Sequence, residues 1–396
     1  HRTGPHLGTR PGSCPVIERT LVVTNDFPPR VGGVNAYVSE LMRRFAGDDV
    51  TVLASGWPGA AAFDARYPAE VIRWKSTSMY PTPAVRKRVA ELVRGTRPDV
   101  LLFGAAVPLG ILGRTIHRHL GVPYATFTHG VEPGAGQVPV AGSVLASTTR
   151  EAILTTGVSR WAVANLRRAV GPGPRIELLP PGIDGSRFHM NVSDVAIRER
   201  HGLDDHPVIC CVARLVPRKG QDKVIGALPM ILSDIPEARF LVVGPGPDRE
   251  RLEELARKRR VADRVVFTGE VPLAALPQYF RAGDVFALPN RTRKLGLEAE
   301  AFGIAFIEAA AVARPAVAGA SGGAPEAVID GATGLLVDGR KADEVREAIV
   351  ELLGDREKAA KLGTAGARRV HVEFTWDAMV ARLRGLLIGA LAGRGE

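Results

Sequence analysis

Short apolar runs alternate along the chain with longer stretches in which apolar residues recur at helical spacing. The runs that predict strands in the first half are TLVVTND, VTVLASG, AEVIRW, DVLLFG and YATFTHG. Those in the second half are PVICCVARL, ARFLVVGPG, RVVFTGE, DVFALP and PAVAG. The stretches that predict helices include NAYVSELMRRFA, AVRKRVAELVRG, DKVIGALPMIL and DRERLEELARKRR. Strands separated by helices are typical of parallel sheets with right-handed crossovers, so the sequence predicts an α/β fold.

This rhythm breaks within LLPPGIDGSRFHMN, residues 178–191. A chain of 396 residues is long for one hydrophobic core, and Pro-Pro-Gly marks a boundary. We therefore expect two doubly wound, Rossmann-like domains, residues 20–187 and 188–375, facing each other across a cleft. Residues 376–396 are predicted to form a helix that returns to the first domain, and residues 1–19 a flexible leader or cloning remnant. Ligands of such sheets bind at the carboxyl ends of the strands, so the cleft is the expected site.

Composition narrows the classes of partner. The net charge of +10 and the pI near 9.9 favour anionic ligands such as phosphates, nucleotides or acidic lipid surfaces. We expect no nucleic-acid partner, because no zinc spacing, RNP-like motif or arginine tail is present. The longest apolar run, LLFGAAVPLGILG, has 13 residues, whereas a membrane-spanning helix needs about 20. Three cysteines, two of them adjacent, form no disulfide framework, which favours the reducing cytoplasm.

Two glycine-containing or basic loops follow predicted strands at matching places in the two halves. Gly32 and Gly33 immediately precede a helix, where small residues let the backbone approach an anion. In the second half, Arg214 and Lys219 follow a strand and lead into a helix. Two cations in a cleft suit a diphosphate leaving group, whose charge grows as its bond breaks. An ordinary turn and a solvated basic loop remain the alternatives for these segments taken singly.

The segment EAFGIAFIE places two acids, Glu300 and Glu308, around an apolar run that contains a glycine. If residues 303–311 begin a helix, its first turn offers unpaired N–H groups to an anion or to sugar hydroxyls. Eight helical residues rise about 12 Å, so the two acids would reach opposite ends of an elongated ligand. A carboxylate accepts two hydrogen bonds at once, which suits a vicinal diol. Taken alone, the pair is more typical of a solvated helix.

The chain resembles the retaining GT-B glycosyltransferases that carry an E-x7-E motif, here Glu300 to Glu308. Segments typical of that family occur in the expected order: VTNDFPPRVGGVNAY, FGAAVPLG, THG, LPPGID, ARLVPRKGQD, VVFTGE, RTR and SGGAPEAV. The closest likeness is to the actinobacterial mannosyltransferases that act on phosphatidyl-myo-inositol mannosides. This resemblance implies a GDP-sugar donor, GDP-mannose being favoured, retention at the anomeric carbon, and no metal or other cofactor. It also implies that the first domain takes the acceptor and the second the nucleotide sugar.

The resemblance assigns roles to individual residues. Arg214 and Lys219 would hold the diphosphate, which Gly32 and Gly33 approach from the first domain. His129, in THG, would lie beside the reacting centre. Together with Glu300, these cations and the histidine form the expected catalytic set.

The remaining roles concern the two sugars and the base. Glu308 would bind the ribose hydroxyls and Glu300 the transferred sugar. The end of the strand VVFTGE would face the base. The residues whose backbone would contact the sugar and the phosphate are Gly303, Ile304, Ala305 and Phe306.

Two family differences and three alternatives remain at this point. THG continues as VEPGAGQVP rather than with a second histidine, and RTRKLGLEAEAFG lacks the expected glycine run and aspartate. A GDP- or UDP-sugar transferase acting on a small polar natural product would look similar. A sugar-nucleotide epimerase and a non-catalytic two-domain binding protein are alternatives from other classes.

One further stretch concerns location. AVRKRVAELVRGTR places five basic residues on one predicted helix, a face that is typical either of a solvated helix or of one that docks on anionic lipid. If the acceptor is a glycolipid, we expect a cytoplasmic enzyme in peripheral contact with the inner face of the plasma membrane.

Overall fold

A computed structural model describes residues 16–45, 49–130, 139–294 and 298–393, apart from the side chains of residues 139–141. Its strands are β1 (Arg19–Thr24), β2 (Asp49–Ala54), β3 (Glu70–Arg73), β4 (Val100–Phe103), β5 (Tyr124–Thr128), β6 (Leu154–Gly157), β7 (Ile176–Leu178), β8 (Val208–Val212), β9 (Arg239–Val243), β10 (Val265–Gly269), β11 (Val285–Leu288), β12 (Ala316–Gly319) and β13 (Gly334–Val337).

The helices lie between these strands and after them. They are α1 (Gly33–Phe45), α2 (Ala60–Asp64), α3 (Pro83–Thr96), α4 (Ile111–Leu120), α5 (Pro139–Glu151), α6 (Arg160–Val170), α7 (Val195–Arg200), α8 (Gln221–Asp234), α9 (Arg249–Lys258), α10 (Leu276–Ala282), α11 (Ile304–Ala311), α12 (Ala324–Ala327), α13 (Ala342–Gly354), α14 (Arg356–Glu373) and α15 (Trp376–Ala392). Short 3-10 turns occupy Pro217–Lys219, Ala262–Arg264 and Leu273–Ala275.

The strands form two separate parallel sheets, which confirms the predicted pair of doubly wound layers. The first sheet has the order β3-β2-β1-β4-β5-β6-β7, and the second has the order β10-β9-β8-β11-β12-β13. In each sheet the first strand lies near the middle, so the chain builds outward in both directions. The point where the order reverses leaves a crevice at the carboxyl ends of the central strands, which is where such sheets bind ligands.

Alternate residues of β1 show why its apolar run needs cover on both faces. Val22 belongs to the same buried cluster as Leu41 of α1. Leu21 and Val23 belong to a different cluster, with Val89 of α3. Successive side chains of a strand point to opposite faces, so a run without polar interruptions requires helices on both sides of the sheet.

The adjacent cysteines behave in the same way on β8. Cys210 packs in a cluster on one face of the second sheet and Cys211 in a cluster on the other. Burial raises the pKa of both thiols, that of Cys211 to about 12. These cysteines therefore serve the packing of the sheet.

The predicted leader extends too far along the chain. Ile17 is 4% exposed within the core, and Arg19 opens β1. The carboxylate of Asp99 accepts hydrogen bonds from the backbone N–H groups of Glu18 and Arg19, both at 2.9 Å. Residues 17–19 are therefore packed onto the first domain, and Arg19 is already part of its sheet.

The final helix packs against the first domain. The Arg384 side chain donates to the carbonyl oxygen of Phe45, the last residue of α1, at 2.8 Å and lies 4.3 Å over the Phe45 ring. Arg382 donates to the carbonyl of Leu178, at the end of β7. The Thr375 hydroxyl caps the start of α15 by accepting from the Ala378 N–H. Across the described ranges, helices fall short of the length and apolar character required to cross a bilayer.

Candidate active site

The carboxyl ends of the two sheets face each other, and glycines line the contact. A methyl group added at Gly33, where α1 begins, would lie 3.6 Å from Cδ1 of Ile304, where α11 begins. One added at Gly130 would lie 2.6 Å from Cβ of Ala301, closer than two carbons approach without a shift. The amino-terminal ends of α1 and α11 therefore approach each other across the domains, each offering backbone N–H groups.

Lys219 and Glu300 form the most buried ion pair of this region. The Lys219 Nζ lies 2.5 Å from Oε2 of Glu300, and the Arg218 guanidinium lies 3.2 Å from the same oxygen. The Glu300 residue is only 7% exposed. Burial alone would raise the pKa of Glu300, but the Lys219 and Arg218 charges outweigh it and the pKa is lowered. Glu300 is therefore a carboxylate that holds two cations at the edge of the cleft.

The loop after β8 sets the position of Lys219. Pro217–Lys219 forms a 3-10 turn that ends at Gly220, with φ of +83°. A Cβ at Gly220 would lie 2.1 Å from the carbonyl oxygen of Pro289, so this glycine lets the loop pack directly on the end of β11. The conformation of this loop thereby places the Lys219 side chain, which follows β8, against Glu300, which follows the neighbouring strand β11.

Arg214 occupies a different position from Lys219. Its side chain is exposed and borders a pocket of about 390 Å³ rather than contacting Glu300. The pocket lies between the loops that follow β8 and β11, and its walls are Arg214, Val216, Pro217, Arg218, Arg293, Lys294 and Glu298. Four basic side chains against one acid make this pocket suited to a doubly charged diphosphate.

The predicted helix start within EAFGIAFIE is present. Gly303 has φ of +92° and precedes α11, and a Cβ there would lie 2.4 Å from the buried ring of Phe306. No side chain of the described residues caps the helix, so the N–H groups of Ile304 and Ala305 remain available to a ligand, whereas that of Phe306 donates to the Gly303 carbonyl at 2.9 Å. Ile304 and Ala305 stay partly exposed beside them. Because Glu300 precedes the glycine bend, the expected straight 12 Å helical rise from Glu300 to Glu308 is wrong.

Glu308 lies on the first turns of α11 in surroundings opposite to those of Glu300. Although part of the residue reaches solvent, burial of its carboxyl group raises the pKa to about 7, and the Arg187 charge only partly opposes this effect. Arg187 follows the Pro-Pro-Gly boundary and donates to the Leu273 carbonyl at 2.7 Å. This carboxyl group can either accept or donate hydrogen bonds near neutral pH.

The glycine turn after β9 reinforces the same edge. Gly244 has φ of +123°, and a Cβ at Gly246 would lie 2.3 Å from the carbonyl oxygen of Leu215. The Leu215 N–H donates to the carbonyl of Pro245 at 2.9 Å. The loops after β8 and β9 are therefore in contact, as expected for glycine turns that border one crevice.

His129 lies at the carboxyl end of β5 and is 8% exposed. Its Nε2 is 2.6 Å from the carbonyl oxygen of Gly104, so this nitrogen carries the hydrogen and donates it. The imidazole packs edge-on against Tyr37 of α1, with ring centroids 5.3 Å apart. The ring is thus fixed between β4, β5 and α1, and residues 131–138, which follow THG, lie outside the described chain.

Sequence reasoning did not find two of the contacts that shape this site. Arg218 shares Glu300 with Lys219, and only its place beside Lys219 in PRKG hinted at this role. Glu326, from SGGAPE, accepts hydrogen bonds from the backbone N–H groups of Arg160 at 2.7 Å and Trp161 at 2.9 Å. This acid of the second domain caps helix α6 of the first, a link between residues too distant in sequence for any local signal.

The charged groups described at this site are basic side chains and isolated carboxylates, which do not form a set of metal ligands. Within the described ranges, no three His, Cys, Asp or Glu side chains come together as a group able to hold a metal ion.

Comparison with known families identifies the class of this two-domain fold. The family model described as Glycosyl transferases group 1 matches residues 194–369, and the one described as Glycosyltransferase Family 4 matches residues 31–187. Among solved structures, sucrose-phosphate synthase from Thermosynechococcus elongatus aligns with a TM-score of 0.80 at 23% identity, covering 95% of this chain and 100% of the other. Anabaena Alr3699/HepE in complex with UDP and glucose aligns with a TM-score of 0.80 at 19% identity, covering 93% and 99%. At these identities the structures show the GT-B fold alone.

The sequence relatives are more specific. The GDP-mannose-dependent alpha-(1-6)-phosphatidylinositol monomannoside mannosyltransferase of Mycobacterium tuberculosis is 42% identical over 96% of this chain and 100% of its own length. The corresponding monoacylated-substrate enzyme of Corynebacterium glutamicum is 38% identical over 93% of this chain and 97% of its own. The chain therefore belongs to the glycosyltransferase family that contains these mannosyltransferases.

Proposed function

We propose that this protein is a retaining mannosyltransferase that moves mannose from GDP-mannose to a phosphatidyl-myo-inositol mannoside. The observation that carries the proposal is the ion cluster of Lys219, Arg218 and Glu300 beside the uncapped start of α11. A buried cation next to free helix N–H groups stabilises a diphosphate on which negative charge accumulates. The identity of the donor and the acceptor follows the relatives that are 38% and 42% identical.

In the proposed reaction the diphosphate lies in the basic pocket. Arg214 binds it from the open side, and Lys219 exchanges Glu300 for a phosphate oxygen when the donor enters. Gly32 and Gly33 approach the same group from the first domain, since Gly33 already lies against Ile304. This arrangement supplies the positive charge that the departing diphosphate needs and requires no metal for that purpose.

The sugars flank the diphosphate. Glu300, released from Lys219, accepts hydrogen bonds from mannose hydroxyls, and Glu308 accepts those of the ribose. The backbone at residues 303–306 contacts mannose and phosphate, and the end of β10 faces guanine. His129 keeps its hydrogen bond to the Gly104 carbonyl and forms part of the wall beside the reacting centre.

Transfer occurs as a same-face displacement. The bond between the anomeric carbon and the diphosphate oxygen breaks, and the acceptor oxygen bonds to that carbon on the same face. The acceptor proton passes to the departing phosphate oxygen, so the protein contributes position and charge rather than a covalent nucleophile.

The distribution of charge supports a membrane-bound acceptor. Residues 1–187 contain 22 Lys and Arg against 13 Asp and Glu, whereas residues 188–396 contain 30 against 29. Nearly all the excess charge therefore belongs to the half that takes the acceptor. On α3, Val85, Val89, Leu92 and Val93 are buried, whereas Arg86, Lys87 and Arg94 are exposed, as is Arg97 just beyond the helix. We propose that this face contacts anionic lipid, at about 1 kcal/mol per charge.

The transfer reaction is tested by measuring GDP released from GDP-mannose with and without phosphatidylinositol monomannoside. We expect GDP release that depends on the acceptor, together with an α-mannosyl product identified by NMR. Release of a free epimerised sugar nucleotide would indicate an epimerase instead. Transfer only to small soluble acceptors would indicate a natural-product glycosyltransferase.

Membrane contact is tested with the double variant R86E/K87E. We expect its binding to vesicles containing anionic lipid to fall at least tenfold, because two attractive charges become repulsive. The matched control is K258E/R259E, which changes the net charge equally at the exposed end of α9 in the second domain. An equal loss in both variants would mean that overall charge, and not α3, governs binding.

A further inference from the structure

The loop between β1 and α1 carries an arginine that the proposed donor site does not use. Arg30 lies two residues before Gly32, and its side chain is 51% exposed. Its guanidinium lies 5.4 Å over the ring of Trp57, which follows β2. Its backbone carbonyl accepts a hydrogen bond from the Asn35 amide of α1 at 2.6 Å. Both the side chain and the backbone of Arg30 therefore have partners within the first domain, in the loop that follows β1.

The ionic partner of Arg30 is loosely placed. Asp26 lies 3.8 Å from the guanidinium, beyond hydrogen-bond distance, so most of the donor groups of Arg30 remain directed to solvent. Arg73, which contacts the same loop through the Pro28 carbonyl, has close hydrogen-bond partners instead. It donates to both carboxylate oxygens of Asp64, at 3.0 and 2.6 Å, and to the carbonyls of Ser55 and Pro28. Arg73 holds the loop, whereas Arg30 is available to a ligand.

The position of Arg30 identifies which ligand it faces. Arg30 lies in the loop that follows the carboxyl end of β1, in the domain to which the proposed function assigns the acceptor, and Gly33 at the end of this loop lies against Ile304 of α11. A planar guanidinium that rests on an aromatic ring presents two parallel N–H groups along its edge, the geometry that recognises a phosphate. The acceptor of the proposed reaction carries one phosphodiester beside its inositol ring.

We infer that Arg30 binds the phosphodiester of the acceptor and thereby selects phosphoinositol acceptors over neutral ones. The Trp57 ring supports the guanidinium through the cation–π contact, and the phosphate replaces the distant Asp26 carboxylate as its partner. This inference rests on the proposed function, because that function supplies the acceptor. Arg30 acts in binding and not in the bond-breaking step, so its loss changes KM and leaves kcat nearly constant.

The test compares two water-soluble acceptors, with no membrane present. One is deacylated glycerophosphoinositol monomannoside, and the other is the mannosyl-inositol disaccharide that lacks the phosphate. For R30Q we expect the KM of the phosphate-bearing acceptor to rise at least tenfold and that of the neutral acceptor to change less than twofold. R30K, which keeps the charge but not the two parallel donors, should fall between wild type and R30Q.

The chain offers a matched control in Arg43, on the last turn of α1. Its guanidinium lies 5.1 Å over the Tyr67 ring and 3.8 Å from Glu40, and its side chain is 38% exposed. R43Q removes the same kind of stacked arginine away from the cleft, so we expect it to change neither KM. Thermal unfolding of both variants shows whether the loop change affects folding.

Three results would overturn the inference. Equal losses with both acceptors would show that Arg30 does not recognise the phosphate, as would the absence of any loss. A tenfold weaker affinity of R30Q for GDP would place Arg30 in the donor site instead. If wild type transfers mannose to neither acceptor nor to the intact glycolipid, the proposed function fails first. That outcome is distinct from a wild type that transfers normally and an R30Q variant that matches it.

Discussion

The carboxyl groups at the two ends of the segment 300–308, those of Glu300 and Glu308, have pKa values shifted in opposite directions. Glu300 lies in the loop before α11, where Lys219 and Arg218 overcome the effect of burial and lower its pKa. Glu308 lies on the helix, where burial is opposed only by Arg187 and the pKa rises to about 7. Burial alone therefore does not decide the protonation of these two carboxyl groups, because the nearby charges decide the sign of each pKa shift.

This difference separates two tasks. The pKa of Glu300 is lowered, and in the proposed reaction its carboxylate holds Lys219 in place until a diphosphate replaces it. The pKa of Glu308 is about 7, so the contacts with a ribose that we propose for it would depend on pH. Glu300 therefore positions Lys219 in the free protein, whereas the charge of Glu308 depends on pH.

The largest effect is expected from breaking the Glu300 end. Changing Lys219 to Ala removes the buried cation, and we expect turnover of GDP-mannose to fall about 100-fold, the usual loss when a charge-stabilising donor is removed. The folded structure should be retained, as judged by circular dichroism. Lys258→Ala, at an exposed site on α9, is the control and should leave turnover unchanged. An unchanged rate for Lys219→Ala would remove the diphosphate assignment.

The second effect concerns stability and has opposite signs at the two ends. The folded-state pKa of Glu308 is raised from 4.5 to about 7, so ionising it destabilises the folded state. Glu308→Gln should therefore be more stable than wild type at pH 8, on the order of 2 to 3 kcal/mol, with the advantage vanishing as pH falls from about 7 to 4.5.

Glu300→Gln should behave in the opposite manner. Because its folded-state pKa is lowered, the Glu300 carboxylate stabilises the fold above its unfolded pKa and loses that contribution as pH falls below it. The variant should be less stable than wild type at pH 7, and the difference should narrow in acid. Thermal unfolding across pH measures both variants, and parallel curves for the two would contradict the comparison.

The smallest expected effect concerns the contribution of Glu308 to GDP binding. Changing Glu308 to Ala would remove the hydrogen bonds that we propose it makes to the ribose, and we expect GDP to bind about fivefold more weakly at pH 8, which corresponds to about 1 kcal/mol. In wild type the affinity should rise between pH 6 and 8 as the carboxyl group ionises, and the variant should lack that part of the rise. Calorimetry with GDP measures this, and equal affinities would show that Glu308 does not bind the ribose.

The sequence predicted most strands of the two sheets but missed β6, β7 and β13. The runs that formed β1, β4 and β9 contain continuous apolar residues. Strand β6, with the sequence LTTG, was not predicted, although Thr155 and Thr156 are buried. Their hydroxyl groups made the strand look like a loop. Thr155 shares a buried hydrogen bond with Thr126 of β5 at 3.0 Å, a partner that only the folded sheet provides.

The sequence by itself determined the layered α/β fold, the helix that starts after Gly303, and the residue types of the site. These properties depend on periodicity and on local backbone preferences, which are written in neighbouring residues. Only the tertiary structure decided that Arg218 rather than Arg214 joins Lys219 on Glu300, and that Glu326 caps a helix of the other domain. Such pairings depend on which strand ends meet in space, and so does the opposite protonation of Glu300 and Glu308.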